Sequence, residues 1–353
     1  MVSMPELLEF EEPIGVLLKE VEALGMMPPT PERQQSIQGL HRRAEELRAE
    51  IFRTLTPWQR TLVARHPARP TSLDYIQRLC TGYTPLHGDR RFADDKAIVC
   101  GMAFFRNEPV FVLGHQKGGA DTKEKILRNF GYARPEGYRK AMRVMSLAAK
   151  FGRPVLVFVD TPAAYPGIES EERGVAEAIA VNLRDMTALD VPIVVTVCGE
   201  GGSGGALGLA IGDRVLMQEF AVYSVIPPEG CAAILWRDAA KKVEAAEALK
   251  ITAPDLLALG VIDEIVPEPI GGAHNDPAAA VALVGDAIAR HLAEIRDLTP
   301  DQRFEARYAK FRAMGREGEA FVDDNAVPVA GNASLAPAAE PAEPTEQGGA
   351  GPS

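Results

Sequence analysis

The sequence predicts an α/β domain whose sheet is covered by helices. Residues 154–160 and 192–198 are unbroken apolar runs of strand length, the pattern of strands buried on both faces. Residues 136–151 and 169–189 carry helical spacing between and before those runs, so helix and strand alternate. Residues 97–105 and 109–115 are β-rich and separated only by Arg106-Asn107-Glu108, which signals a hairpin.

The first elements precede this domain. Ile14, Leu17, Leu18, Val21 and Leu24 recur at three and four, and Pro13 suits a first helical turn. The prolines of Met26-Met27-Pro28-Pro29-Thr30-Pro31 end that helix. Ile37, Leu40, Ala44, Leu47, Ile51 and Leu55 form the stripe of a second. The two are expected to fold as a hairpin within an extension at 1–70, its apolar faces meeting each other or covering a partner chain. The main domain is expected over 71–320. In it a short helix at 204–211 follows the 192–198 strand, then strands at 214–218 and 221–226, and helices from Gly230 onward. Residues 258–267 read as a helix end, a cap at Gly260 and a short edge strand. Beyond Asn325 there is no Lys, Arg or aromatic residue, and Ala, Pro and Gly dominate. Such a segment buries too little surface to offset its ordering entropy, so 321–353 is expected to be a disordered tail.

Composition narrows the function. A formal net charge of -11 argues against nucleic acid as a partner, although it allows a local basic patch for an anion. No run approaches the roughly 18 apolar residues of a membrane span, and the acidic start through Glu12 lacks the order of a secretory signal. Cys80, Cys100, Cys198 and Cys231 are widely spaced, which predicts buried reduced thiols and no metal site in this chain. A cytoplasmic protein is expected.

The densest chemical signal is Gly199-Glu200-Gly201-Gly202-Ser203-Gly204-Gly205, five glycines in seven residues between a buried strand and a helix. Glycine lets a ligand lie against bare N–H groups, and a helix start adds free donors and positive partial charge. The combination suits a negatively charged oxygen. Gly199-x-Gly201-x-x-Gly204 also fits a dinucleotide fingerprint, with Glu219 20 residues beyond its start. Against that reading, only nine residues lie between Gly204 and the strand at Arg214, too few for a usual crossover between adjacent parallel strands. No P-loop pattern occurs.

Other loops at strand ends add candidates. Asp160, opening Asp160-Thr161-Pro162-Ala163-Ala164-Tyr165-Pro166-Gly167, reads as a cap or as a general base. His115 reads as a structural hydrogen-bonding group or as an acid–base group. Lys123, Lys125, Arg128, Arg134, Arg139, Lys140 and Arg143 read as a solvated face or as a landing surface for an anionic ligand. Pro228-Glu229-Gly230-Cys231 opens another helix. His-Glu-x-x-His is absent and no nucleophile–base pair is obvious, which fits chemistry run by oriented N–H donors.

Several stretches together carry a resemblance. They are Asp94-Asp95-Lys96-Ala97-Ile98-Val99, Gly114-His115-Gln116-Lys117-Gly118, Thr122-Lys123-Glu124-Lys125-Ile126, Arg128-Asn129-Phe130-Gly131, Pro135-Glu136-Gly137-Tyr138-Arg139-Lys140, the glycine run and Pro228-Glu229-Gly230-Cys231. In that order they resemble the carboxyltransferase alpha subunit of acetyl-CoA carboxylase, over about residues 7–315. Residues 259–266 resemble the closing element of the wider crotonase superfamily. The resemblance implies a crotonase-like fold of repeated β-β-α units. It implies an α2β2 assembly with a beta subunit that bears zinc and holds acetyl-CoA. It also implies carboxybiotin, delivered on the biotin carboxyl carrier protein after biotin carboxylase has loaded it. The product is malonyl-CoA, for fatty acid synthesis. On this implication the N–H groups of Gly204 and Gly205 are catalytic, stabilising the ureido oxyanion. Gly201, Gly202, Ser203, Pro162, Tyr165, Gly167 and Gly230 would line the biotin site, and no metal is held here. Three features depart from the family pattern: Ala163 for glycine, Pro227 for serine, and a connection at 118–121 one residue longer.

Rival readings are a carboxyltransferase for another acyl-CoA such as propionyl-CoA, a stand-alone hydratase or isomerase using Glu229 or Glu200, and an RNA-binding scaffold.

Overall fold

The computed structural model describes residues 7–119 and 121–315. The expected hairpin is α1 (Glu12–Gly25) against α2 (Pro31–Arg53). Thr30 caps α2 by accepting the Arg33 N–H at 3.2 Å, with Pro31 at the first helical position. The lower end of the pair is tied down: Phe52 and Leu55 are buried with Val63 and Phe220, and Leu8, Phe10 and Ile51 pack around them.

Three elements follow that the hydrophobic pattern did not reveal: α3 (Pro57–Ala64), α4 (Ser72–Leu79) and strand β1 (Cys80–Pro85). A signal for the first was present. Thr56 and Gln59 form a capping box around Pro57, each side chain accepting from the other's backbone N–H.

The hairpin of β2 (Ile98–Phe105) and β3 (Glu108–His115) is as expected, and α5 (Thr122–Leu127), α6 (Pro135–Lys150) and β4 (Val155–Thr161) follow. The helix expected at 169–189 is two, α7 (Ile168–Glu172) and α8 (Val175–Ala188). Gly174 separates them at φ 76°, a left-handed angle that no helix continues through.

The glycine run departs most from expectation. Strand β5 (Ile193–Gly202) continues through Gly199, Gly201 and Gly202, and α9 (Ser203–Leu207) is shorter than the 204–211 helix foreseen. The extension is explained by β7 (Val222–Ser224), which lies parallel to residues 200–202 and completes their ladder. Between them β6 (Arg214–Gln218) pairs parallel with Val194 through Val197. Adjacent parallel strands are therefore joined by the short segment judged too short for it. This works because β5 overshoots β6, so the chain returns through a buried irregular segment at 208–213 without a full crossover helix.

The chain continues through α10 (Pro228–Trp236), α11 (Lys242–Ala248), α12 (Ala253–Ala258), β8 (Glu264–Val266), α13 (Pro277–Ile295) and α14 (Pro300–Ala313). Gly260, at φ 67°, caps the segment before β8 as read. The sheet order is β1-β2-β3-β4-β5-β6-β8, antiparallel through β3 and parallel beyond it. Alternate residues feed two cores. Val155, Val157, Val159, Val195 and Val197 meet α6 and α8 on one face. Leu156, Phe158, Val194 and Leu216 meet α4 and α13 on the other. The tail at 321–353 and Ala120 lie outside the described residues.

Candidate active site

The carboxyl ends of β4 and β5 open into a cleft of about 690 Å3, where open α/β sheets place ligands. Its walls include Arg65, Arg69, Lys117, Phe130, Tyr132, Asp160, Pro162, Ala163, Glu200, Pro227 and Glu229. A smaller cavity shares Arg65, Pro162, Glu200 and Pro227 with it and adds Gly201 and Gly202.

A charge network fills the floor. Lys117 Nζ lies 2.7 Å from both Asp160 Oδ1 and Glu200 Oε2. Arg65 donates from Nε to Glu200 at 2.6 Å and from Nη1 to Glu229 at 2.6 Å, bridging β5 and the start of α10. The Glu200 N–H donates to Asp160 at 2.9 Å, closing the ring. Burial opposes the charge of Glu200, but Lys117 and then Arg65 outweigh it and hold its carboxyl down at about 2. Burial likewise opposes the charge of Lys117, while Asp160 and Glu200 raise its pKa above the ordinary value. Glu229 is also lowered: burial opposes ionisation, and the hydrogen bond from Arg65 overrides it. These carboxylates are fixed as anions, not poised near neutrality as an acid–base catalyst is. Ion pairing of this kind disfavours the proton-donating step of a hydratase using Glu200 or Glu229.

Below the network, Arg69 is almost fully buried. It donates to the Cys198 carbonyl at 2.7 Å and pairs with Glu268 at 2.7 Å, locking the β5 end to the segment after β8.

The glycine turn stands beside this floor. Ser203 has φ 49°, which swings the chain from strand to helix. Gly204 and Gly205 occupy the second and third positions of α9, where N–H groups have no partner within a helix. A Cβ on Gly202 would overlap the Pro162 carbonyl, and one on Gly205 would overlap the backbone of Ala163 and Ala164. These two glycines are therefore required for the turn to pack on the 160–167 loop. Gly204 differs, since its nearest neighbour would be Ile179 Cδ1 at 3.6 Å.

The sequence-predicted residues are thus distributed unevenly. Pro162 lines both cavities, and Gly201 and Gly202 the smaller one. Ser203, Gly204, Gly205, Tyr165, Gly167 and Gly230 line neither. Tyr165 lies under the Arg134 guanidinium, 4.7 Å from its ring centroid, and a Cβ on Gly167 would overlap that tyrosine. Gly230 is the third residue of α10. His115 is wholly buried, and burial lowers its pKa to about 3, so its ring is neutral at physiological pH. The expected structural hydrogen bonds are not formed: neither His115 ring nitrogen meets a partner in hydrogen-bond geometry among the described residues. Much of the basic cluster is structural too: Arg139 pairs with Asp89, Lys140 with Asp94, and Arg143 and Arg128 donate to carbonyls of His87 and Lys96. They clamp the 87–96 loop, and of the cluster only Lys125 lines the cleft. Sequence reasoning missed Arg65 and Arg69, which α3 and its following turn deliver. It also missed Lys117 as a site residue, although Gly114-His115-Gln116-Lys117-Gly118 had been singled out.

Comparisons with known proteins agree with the resemblance. A family profile described as acetyl co-enzyme A carboxylase carboxyltransferase-like matches residues 7–315. An acetyl-coenzyme A carboxylase carboxyl transferase subunit alpha of Geobacter metallireducens is 55% identical over 313 residues, covering 88% of this chain and 98% of that protein. The subunit of the same name from a Cyanothece species is 53% identical over 313 residues, covering 88% and 96%. Among solved structures, the transcarboxylase 12S hexamer matches with TM-score 0.52 at 19% identity, over 64% of this chain and 41% of that one. A Pseudomonas malonate decarboxylase hetero-dimer matches with TM-score 0.50 at 18% identity, over 61% and 88%. Those two show the fold.

Proposed function

The chain belongs to the family of acetyl-coenzyme A carboxylase carboxyl transferase alpha subunits, and on that premise we propose how its cleft works. It is a transferase subunit of crotonase-like fold, the alpha part of the enzyme that carboxylates acetyl-CoA from a biotin-linked donor. Malonyl-CoA is the product, and fatty acid synthesis the use. A beta subunit is its partner.

The cleft takes the biotin end of the donor. The fit rests on apolar walls from Phe130, Tyr132, Pro162 and Ala163, an appropriate volume, and bare backbone at Gly201 and Gly202. When bound, the biotin group supplies the carboxyl group as CO2. The Gly204 and Gly205 N–H groups act on the oxygen that becomes negative as that carboxyl group leaves, each donor worth on the order of 3 kcal/mol in the transition state. Pro162, Gly201 and Gly202 line the cavities beside that oxygen, while Ser203 sets the turn and Tyr165, Gly167 and Gly230 support the loops behind it. Lys117 and Arg65 hold Glu200 and Asp160 rigid beneath the turn. One observation carries this reading: the glycine turn opens α9 with N–H groups that have no intrahelical partner, beside a floor whose carboxylates are tied to cations.

The finer assembly is part of the proposal: an α2β2 heterotetramer, zinc and acetyl-CoA on the beta side, and service by the biotin carboxyl carrier protein and biotin carboxylase in the cytoplasm. The division into an extension at 1–70 and a transferase domain at 71–320 belongs to it as well.

The test is biocytin-dependent decarboxylation of malonyl-CoA by this chain alone and with a co-expressed beta subunit. Activity in the pair only is the expected result. Full activity from the lone chain would sink the shared site.

A further inference from the structure

Phe130 stands on a backbone that a phenylalanine rarely adopts. Its φ and ψ are 54° and 24°, and it sits between Asn129 at φ 49° and Gly131 at φ 83°. Asparagine and glycine visit the left-handed region readily, whereas a bulky side chain there is a strained outlier. Such strain persists where surrounding structure over-determines it, and it gathers at ligand clamps.

The turn is over-determined. The Asn129 Nδ2 donates to the Tyr132 carbonyl at 2.8 Å, and the Gly131 N–H to the Arg128 carbonyl at 3.0 Å. Thr161 Oγ1 donates to the Gly131 carbonyl at 2.7 Å, tying the turn to the β4 end. A Cβ on Gly131 would come within 2.7 Å of Lys117 Cγ, so the turn rests directly on the charge network. Packing does not explain the strain. Phe130 is 47% exposed, lines the main cleft, and belongs to none of the hydrophobic clusters among the described residues. Ile126 and Leu127 are exposed beside it, so the lip here is apolar.

We propose that Phe130 is a specificity residue for the carboxyl donor: the strained turn aims its ring into the cleft, to pack on the apolar thioether ring of biotin. Sulfur–aromatic contact and removal of ring surface from water both favour that pairing. The inference rests on the functional reading above and adds to it the group that grips the donor. It also accounts for the strained backbone of Asn129-Phe130-Gly131, which the catalytic scheme leaves unexplained.

The experiment uses the co-expressed alpha–beta pair, malonyl-CoA and free biocytin, with Phe130→Ala, Phe130→Gly and Phe130→Tyr. Phe130→Ala and Phe130→Gly are expected to raise the KM for biocytin about tenfold, equivalent to about 1.4 kcal/mol, with the KM for malonyl-CoA unchanged. Phe130→Tyr restores the KM to within about threefold, since it keeps the ring. Phe130→Gly also raises Tm, by about 2 °C, because glycine relieves the left-handed strain. A folded, active Phe130→Ala pair with unchanged biocytin KM would overturn the proposal. So would a shift in malonyl-CoA KM instead, which assigns the ring to the acceptor. Loss of copurifying beta subunit would make it an interface residue and overturn the proposal too. An inactive wild-type pair would overturn the functional reading and this inference with it, which separates the two failures.

Discussion

Glu200 shows what a residue's neighbours do to its chemistry. In the sequence it is a glutamate inside a glycine run, a fair candidate for an acid or base. Its partners Arg65 and Lys117 lie 135 and 83 residues away, and together they convert it into a fixed anion. Since its pKa falls from 4.5 to about 2 on folding, it contributes stability that is present above 4.5 and lost as pH falls toward 2. Glu200→Gln should therefore lower stability at pH 7 by about 3 kcal/mol, the usual scale for a broken buried pair. It should also flatten the acid limb of stability against pH between those values. Urea unfolding across a pH series checks this, and parallel curves for the two proteins would show that Glu200 is not held by its cations.

The glycine-rich segment is legible only in part as an element. Its composition announces a backbone that something approaches closely, and residues 192–198 announce the strand. What continues that strand to Gly202 is β7, and no local pattern reveals which strand will lie alongside. The structure also separates glycines that look alike in sequence. Gly205→Ala drives a methyl into the Ala163–Ala164 backbone and should cost about 1–3 kcal/mol. Gly204→Ala meets only Ile179 and should leave Tm unchanged or raised, because alanine favours the helix. Thermal unfolding of the two variants distinguishes them, and equal losses would mean that the turn does not pack on the 160–167 loop. A loss of activity in Gly205→Ala therefore reports packing before it reports an oxyanion donor.

At the scale of the molecule, α14 is fastened by a buried arginine. Arg307 donates to the carbonyls of Met186, Leu189 and Val191 and pairs with Asp213 at 2.9 Å, joining α8, the start of β5 and the approach to β6. Arg307→Met leaves Asp213 without that cation and should cost about 3–5 kcal/mol. Arg307→Lys should recover little, since a single ammonium cannot reproduce the planar fork. The denaturant midpoint, at constant slope, is the measurement, and a shift near zero in both would remove the clamp from the account. The same scale divides what was readable from what was not. By itself the sequence determined the helical hairpin, the apolar strands 154–160 and 192–198, the β2–β3 hairpin and the family, because periodicity, turn residues and ordered motifs are local properties of the chain. It also marked the glycine turn as a backbone that something approaches closely, and the 160–167 loop packs there on Gly202 and Gly205. Only the tertiary structure decided that β5 and β6 are neighbours across so short a link, that Arg65, Lys117, Asp160 and Glu200 form one network, and that Phe130 faces the cleft. Those facts depend on which distant segments are brought together, and electrostatic and steric coupling between them exists only once the chain has closed around one core.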